Sequence, residues 1–98
     1  MGVGEQQVTV VGSGPSAAHQ LGAAVRAARK DAGLTQSELG ELIDGMPRHM
    51  LADVENGRLT RQAQRLLAIF DAVGLELVLQ PRSARLAAGE RAAGAESS

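Results

Sequence analysis

A mostly α fold is predicted for this 98-residue chain: four to five short helices built around a helix-turn-helix, finished by a C-terminal β-strand that pairs across a homodimer. Three observations predict it. Short apolar stripes at helical spacing recur between glycines. Over residues 33–57 a capped helix, a Gly-containing turn and a second short helix follow one another, which is the helix-turn-helix arrangement. After the last helical stripe the apolar period drops to that of a strand.

Residues 1–16, MGVGEQQVTVVGSGPS, are rich in Gly and Ser and read as a flexible N-terminal arm with a candidate strand over 7–11. Val8–Val11 followed by Gly12, Gly14 and Ala17 matches a strand feeding a G-x-G-x-x-A dinucleotide fingerprint. That fingerprint works only inside a βαβ unit, where a second, parallel strand carries an acidic residue to the ribose. Here the following helix leads to Asp31 and then to more helices, so a small nucleotide-binding enzyme is the weaker reading. An enzyme would also need a nucleophile, a base and a pocket, and the only histidines are His19 and His49.

The principal domain is read as 17–82. Ser16 can cap a first helix to about Ala32, with Leu21, Ala24, Val25 and Ala28 on its inner face, and Gly33 closes it. Arg26, Arg29 and Lys30 cluster in its C-terminal half, where cations suit the helix dipole and can equally meet phosphate. Thr35 and Glu38 have capping-box spacing. Leu39, Leu42 and Ile43 then form an inner face opposite Gln36, Ser37 and Glu41, and Asp44-Gly45 ends that helix. Pro47 suits the first position of the next helix, which runs to about Glu55. Met46, Met50, Leu51 and Val54 form its buried stripe, leaving Arg48, His49, Ala52 and Asp53 outside. Thr60 can cap a last helix over 61–73, with Ala63, Leu66, Leu67, Phe70 and Val73 as its stripe and Gly74 as its stop. Leu75, Glu76, Leu77, Val78, Leu79 and Gln80 then alternate, with the three leucines on one face and Pro81 ending the run. A lone strand leaves its backbone groups unpaired, and this chain supplies only the segment near Val8–Val11 as a partner, so the same strand from a second copy is the expected partner and the leucine face the expected dimer seal. Residues 83–98 are small and polar and read as a disordered tail.

Composition limits the function classes. The net charge of −1 is no general nucleic-acid signal, so any DNA contact must rest on local placement. Phe70 is the only aromatic residue, and a small aliphatic core is often completed by oligomerisation. There is no cysteine for disulfides or thiolate zinc, and neither a metal nor a cofactor is called for. No apolar run reaches the ~18 residues of a membrane span, and a cytoplasmic, non-enzymatic protein is expected.

With Leu34-Thr35-Gln36, Leu39, Gly45, Val54-Glu55-Asn56-Gly57 and Leu75-Glu76-Leu77-Val78-Leu79 in place, the chain resembles a HipB-type antitoxin over about residues 20–82. Such antitoxins belong to the Xre, or lambda-repressor-like, helix-turn-helix superfamily. The resemblance implies a helical domain whose C-terminal strands pair in a homodimer. It also implies binding to palindromic double-stranded operator DNA upstream of the protein's own operon, and neutralisation of a HipA-like serine/threonine kinase toxin. A solitary Xre-family transcriptional regulator without a toxin is the alternative. By position, Arg48, His49 and Ala52 would face base edges, with Arg48 suited to a bidentate contact with guanine. Gln36, Asn56 and Arg58 would meet DNA phosphates, and Asp53 would accept from a cytosine amino group or orient Arg48. The chain departs from the family pattern in three ways. It has one extra residue near Asp44, Gly40 stands where Ala is usual, at a helix cost of ~1 kcal/mol, and Met46-Pro47 replaces the customary Ser or Thr cap.

Overall fold

The structure, a computed structural model, describes residues 7–81. The proposed tail over 83–98 and the first residues of the arm lie outside them. In chain order the elements are β1 (Val8–Val10), α1 (Pro15–Asp31), α2 (Gln36–Leu42), α3 (Arg48–Glu55), α4 (Arg61–Ala72) and β2 (Leu77–Leu79). Four helices and a short two-stranded sheet make this a mostly α, helix-turn-helix fold.

Helix starts follow the local signals in two cases and depart from them in two. Thr35 Oγ1 accepts from the Glu38 N–H at 3.0 Å, and Glu38 Oε1 accepts from the Thr35 N–H at 2.8 Å, which is the complete capping box. Thr60 Oγ1 accepts from the Ala63 N–H at 3.2 Å. Ser16, by contrast, lies inside α1 and accepts from Gln20 Nε2; Gly14 is the cap, and Pro15 starts the helix because a first-turn residue needs no N–H. Pro47 is likewise the extended cap of α3 and not its first helical residue. At the other ends, the chain leaves α1, α3 and α4 in one way. After α1 the Gly33 N–H bonds to the Lys30 carbonyl and the Leu34 N–H to that of Arg29, and Gly57 and Gly74 stand at the equivalent places after α3 and α4. This double closure requires a left-handed residue, which glycine adopts without steric cost.

The turn between α2 and α3 is different. Asp44, at φ 54°, and Gly45, at φ 74°, take left-handed conformations in succession and form the turn that leads to Met46. That loop folds Met46 back over α2, where its N–H bonds to the Gly40 carbonyl at 2.9 Å. A Cβ on residue 40 would stand 2.2 Å from the Met46 carbonyl oxygen. The helix cost assigned to glycine is thus reversed at this site: the enlarged turn excludes the alanine that the family pattern favours.

The sheet corrects the expectation for the C-terminal strand. β2 pairs antiparallel with β1 of its own chain, in the register Val8↔Leu79, Thr9↔Val78 and Val10↔Leu77. The lone strand therefore has a partner without a second copy, and the antiparallel pairing also removes the βαβ unit that a dinucleotide site requires. Leu77 and Leu79 face inward onto Val10, Ala17 and Leu67, together with Val8, Leu59 and Phe70. They seal this chain's own core and leave Leu75 and Val78 exposed. Leu75 and Glu76 precede the strand proper.

Several residues expected inside lie outside. Leu42, Ile43, Met50, Leu66 and Val73 are exposed, as is Ala28. For α4 the reason is geometric: Ala63, Leu67 and Phe70 occupy the strip that meets the core, while Leu66, Ile69 and Val73 form a neighbouring strip, 51%, 56% and 64% exposed, that a core this small does not reach. For Leu42 and Ile43 the reason is that Leu42 is the last residue of α2 and Ile43 its C-cap, so both stand where the chain leaves the helix for the turn.

Candidate nucleic-acid interface

The candidate surface is assembled where α1, α2 and α3 meet. α1 and α3 come into backbone contact because Gly22 lacks a side chain; a Cβ there would stand 2.4 Å from the Val54 carbonyl oxygen. This approach brings Glu55, the last residue of α3, beneath α1. Arg29 Nε donates to Glu55 Oε2 at 2.6 Å and Arg29 Nη2 to Glu55 Oε1 at 3.1 Å, while Arg29 Nη1 donates to the Leu34 carbonyl at 2.8 Å. The two side chains are 10% and 4% exposed, so the pair is a withdrawn, bidentate clamp between helices. The hydrogen bonds from Arg29 hold the Glu55 carboxyl below its usual range, outweighing the upward push of burial, and Gln36 and the nearby positive charges of Arg29 and Arg26 act in the same direction. The same hydrogen bond raises the pKa of Arg29.

From this clamp a chain of contacts runs outward. Gln36 Nε2 donates to Glu55 Oε1 at 3.1 Å, and Arg48 Nε donates to Gln36 Oε1 at 3.3 Å. Gln36, Arg48, His49 and Ala52 line one shallow depression on the outer surface of α3. A second, more polar hollow beside it is lined by Arg26, Arg29, Gln36, Glu55 and Asn56. The residues expected to face base edges and two of the three expected at phosphates therefore border one continuous surface, with Gln36 shared between its two parts.

Arg58 joins differently. Its Nη1 donates to Asp53 Oδ1 at 3.4 Å, and its backbone N–H bonds to the Asp53 carbonyl at 2.8 Å. Asp53 therefore pairs with Arg58 and not with Arg48. The pair is exposed, and such a contact orients a side chain more than it stabilises a fold.

The basic cluster of α1 divides. Arg29 is consumed by Glu55, while Arg26 borders the polar hollow. Sequence reasoning did not single out the Arg29–Glu55 clamp. Its signal is present: Glu55 stands four residues after Leu51 on the buried side of α3, and an acidic residue in an apolar stripe needs a cationic partner. Only the fold tells which of the arginines supplies it.

Among the described residues no cluster of His, Asp or Glu is arranged to hold a metal ion, and no helix is long and apolar enough to cross a membrane. A family model described as a helix-turn-helix domain matches residues 20–82, the greater part of the chain. No curated protein and no solved structure matches it.

Proposed function

The chain belongs to the helix-turn-helix domain family, and from that premise we propose that it is a homodimeric, operator-binding transcriptional autorepressor that reads DNA through α3. The observation that carries this reading is the gathering of Arg48, His49 and Ala52, with Gln36 beside them, on one outer surface of α3. The N-terminal part of such a helix enters the major groove. Arg48 makes the bidentate contact with guanine O6 and N7, His49 and Ala52 meet neighbouring base edges, and Asn56 and Arg58 meet the backbone on either side.

Arg48→Ala is expected to lower affinity for the protein's own upstream DNA by about tenfold or more, since a bidentate contact discriminates by ~1–3 kcal/mol. Gel-shift titration measures it. Affinity of the parent should also fall steeply with salt, by ~0.9 log unit per released counterion for each log unit of salt. No binding by either protein would sink the reading.

The dimer is supported by what the monomer leaves uncovered. Leu66, Ile69 and Val73 of α4 form an apolar strip that the chain's own core leaves exposed, and Leu75 and Val78 are exposed as well. With β1 on one side of β2, its other edge carries no strand among the described residues and can take a second copy. Ile69→Glu is expected to give monomers by light scattering; an unchanged dimer would place the interface elsewhere.

The finer reading, an antitoxin that neutralises a HipA-like kinase toxin, is supported by the helix, Gly and strand ending that resembles the HipB branch. Its test is co-purification with a kinase encoded beside it. Recovery of the repressor alone would assign the solitary regulator.

A further inference from the structure

We infer that Asp44 is a site of spontaneous covalent modification: its carboxyl group condenses with the Gly45 nitrogen to a succinimide, and hydrolysis leaves an isoaspartyl link in the turn between α2 and α3. The fold directs this chemistry to Asp44-Gly45 and withholds it from Asn56-Gly57.

In two places the chain has an Asp or Asn directly before glycine, Asp44-Gly45 and Asn56-Gly57. Glycine matters because the attacking nitrogen must swing toward the neighbouring side-chain carbonyl carbon, and a missing Cβ leaves that path open. In an unfolded chain at neutral pH the Asn-Gly site reacts first, because an amide is electrophilic and an ionised carboxylate is not. The folded chain holds the two sites differently. The Gly57 N–H donates to the Val54 carbonyl at 3.0 Å, and the Asn56 N–H to those of Ala52 and Asp53 at 3.0 and 3.2 Å. Gly57 is also seated against α1, where a Cβ would stand 3.2 Å from the His19 nitrogen. A nitrogen so fixed cannot turn to its neighbour's side chain. Asp44 and Gly45 are both exposed, and among the described residues neither of their N–H groups donates a hydrogen bond. A Cβ built on Gly45 would meet nothing within 4 Å. Asp44, at φ 54°, holds a left-handed conformation that is costly for an L-residue, so this turn opens more readily than the end of α3.

Water is the only co-reactant. The Gly45 nitrogen bonds to Cγ of the protonated carboxyl, the Cγ–OH bond breaks, and that hydroxyl leaves as water with the amide hydrogen. Water then adds at the main-chain carbonyl of Asp44 and breaks its bond to the Gly45 nitrogen; addition at Cγ instead regenerates Asp44. In the isoaspartyl product the main chain runs through Cβ and Cγ and is one carbon longer, the former main-chain carbonyl is a free carboxylate, and the mass is unchanged. The added length falls where α3 is positioned. Two residues on, the Met46 N–H donates to the Gly40 carbonyl at 2.9 Å and to the Ile43 carbonyl at 3.0 Å, and a lengthened turn no longer delivers it there.

A peptide map of the whole chain after prolonged warm incubation in neutral buffer, beside a sample kept in concentrated guanidinium chloride, tests this. Trypsin cuts after Lys30, Arg48 and Arg58, so Asp44 and Asn56 fall in separate peptides, 31–48 and 49–58. From the folded protein, peptide 31–48 should acquire a form of unchanged mass and shifted elution before peptide 49–58 shows any deamidation. Electron-transfer fragmentation should place the isoaspartate at residue 44. In denaturant the order should reverse. Asp44→Asn keeps a residue that tolerates the left-handed conformation and supplies the more reactive amide, so it should convert faster than the parent while folded, to the same two products. Asp44→Glu, which would have to close a larger ring, should stay unconverted. Deamidation of Asn56 ahead of any change at Asp44 in the folded protein would overturn the inference, and so would a folded Asp44→Asn protein that does not convert. In the converted fraction the Met46 N–H should lose its protection from hydrogen exchange; full retention would overturn the effect on α3. None of these readouts needs DNA, and none depends on the operator-binding reading above.

Discussion

Replacing Gly40 with alanine is expected to destabilise the protein by about 2 kcal/mol, although the same change stabilises most helices by ~1 kcal/mol. The added Cβ would lie 2.2 Å from the Met46 carbonyl oxygen, a backbone atom that cannot rotate away. Relief requires the whole turn to move, with loss of the 2.9 Å bond from the Met46 N–H to the Gly40 carbonyl. In a domain of this size such a loss lowers the melting temperature by roughly 10 °C. The cause is the enlarged turn, so the effect should be conditional. Deleting Asp44 shortens the loop that presses Met46 onto α2, and in that background Gly40→Ala should become neutral or stabilising. Thermal melts of the two single variants and the double variant measure the coupling. Additive losses would show that Gly40 and the extra residue are independent, and that the close approach has another origin.

Glu55→Gln is expected to have a still larger effect, lowering the melting temperature by upwards of about 10 °C. The substitution keeps the size of the side chain and one acceptor oxygen, but it leaves the Arg29 guanidinium enclosed between α1 and α3 without its counter-charge. Removing one member of a withdrawn ion pair is costly because the remaining charge has lost its water as well as its partner. The effect has a pH signature whose sign is determined by the direction of the shift. The Glu55 carboxyl lies below its ordinary 4.5 in the folded state, so its contribution is fully present above that value and is lost as the pH falls through the lower, folded value. Acid should therefore erode the parent from about pH 4.5 downward, and the gap between parent and Glu55→Gln should narrow across that range. A gap that stayed constant to low pH would mean that Glu55 acts through its shape and not its charge. Loss of the clamp should also loosen Gln36, linking the stability of the fold to the order of the Arg48 side chain.

These two predictions rest on contacts that differ in how they could be read. The starts and stops of the helices are written locally. Thr35 and Glu38 are three residues apart, Thr60 and Ala63 likewise, and each closing glycine bonds within the preceding turn. Such signals involve a few neighbouring residues, so the chain carries them wherever it is placed, and the helix-turn-helix was legible from them. The exposure of Arg48 and His49 was legible for the same reason, because helical spacing separates them from the buried Leu51, whereas Ala52 and Val54 are buried to a similar degree and Met50, read as part of the inner stripe, lies exposed.

Everything that depends on two distant segments was not legible. Periodicity shows that β2 has an inner and an outer face but cannot name its partner, and Val8 and Leu79 meet only when the four helices between them have packed. Helical spacing shows that α4 has an apolar side, but the width that is covered depends on how far this particular core extends, which is why Leu66 and Val73 remain outside. A cluster of cations on α1 reads as a single surface until α3 arrives with Glu55 and withdraws Arg29 from it. Gly22 and Gly40 look like helix defects in a linear reading and are points of backbone contact in the folded chain. Local geometry is determined by short-range sterics and hydrogen bonds that residue identity specifies; partner, depth and charge pairing arise only when separate elements share the same space.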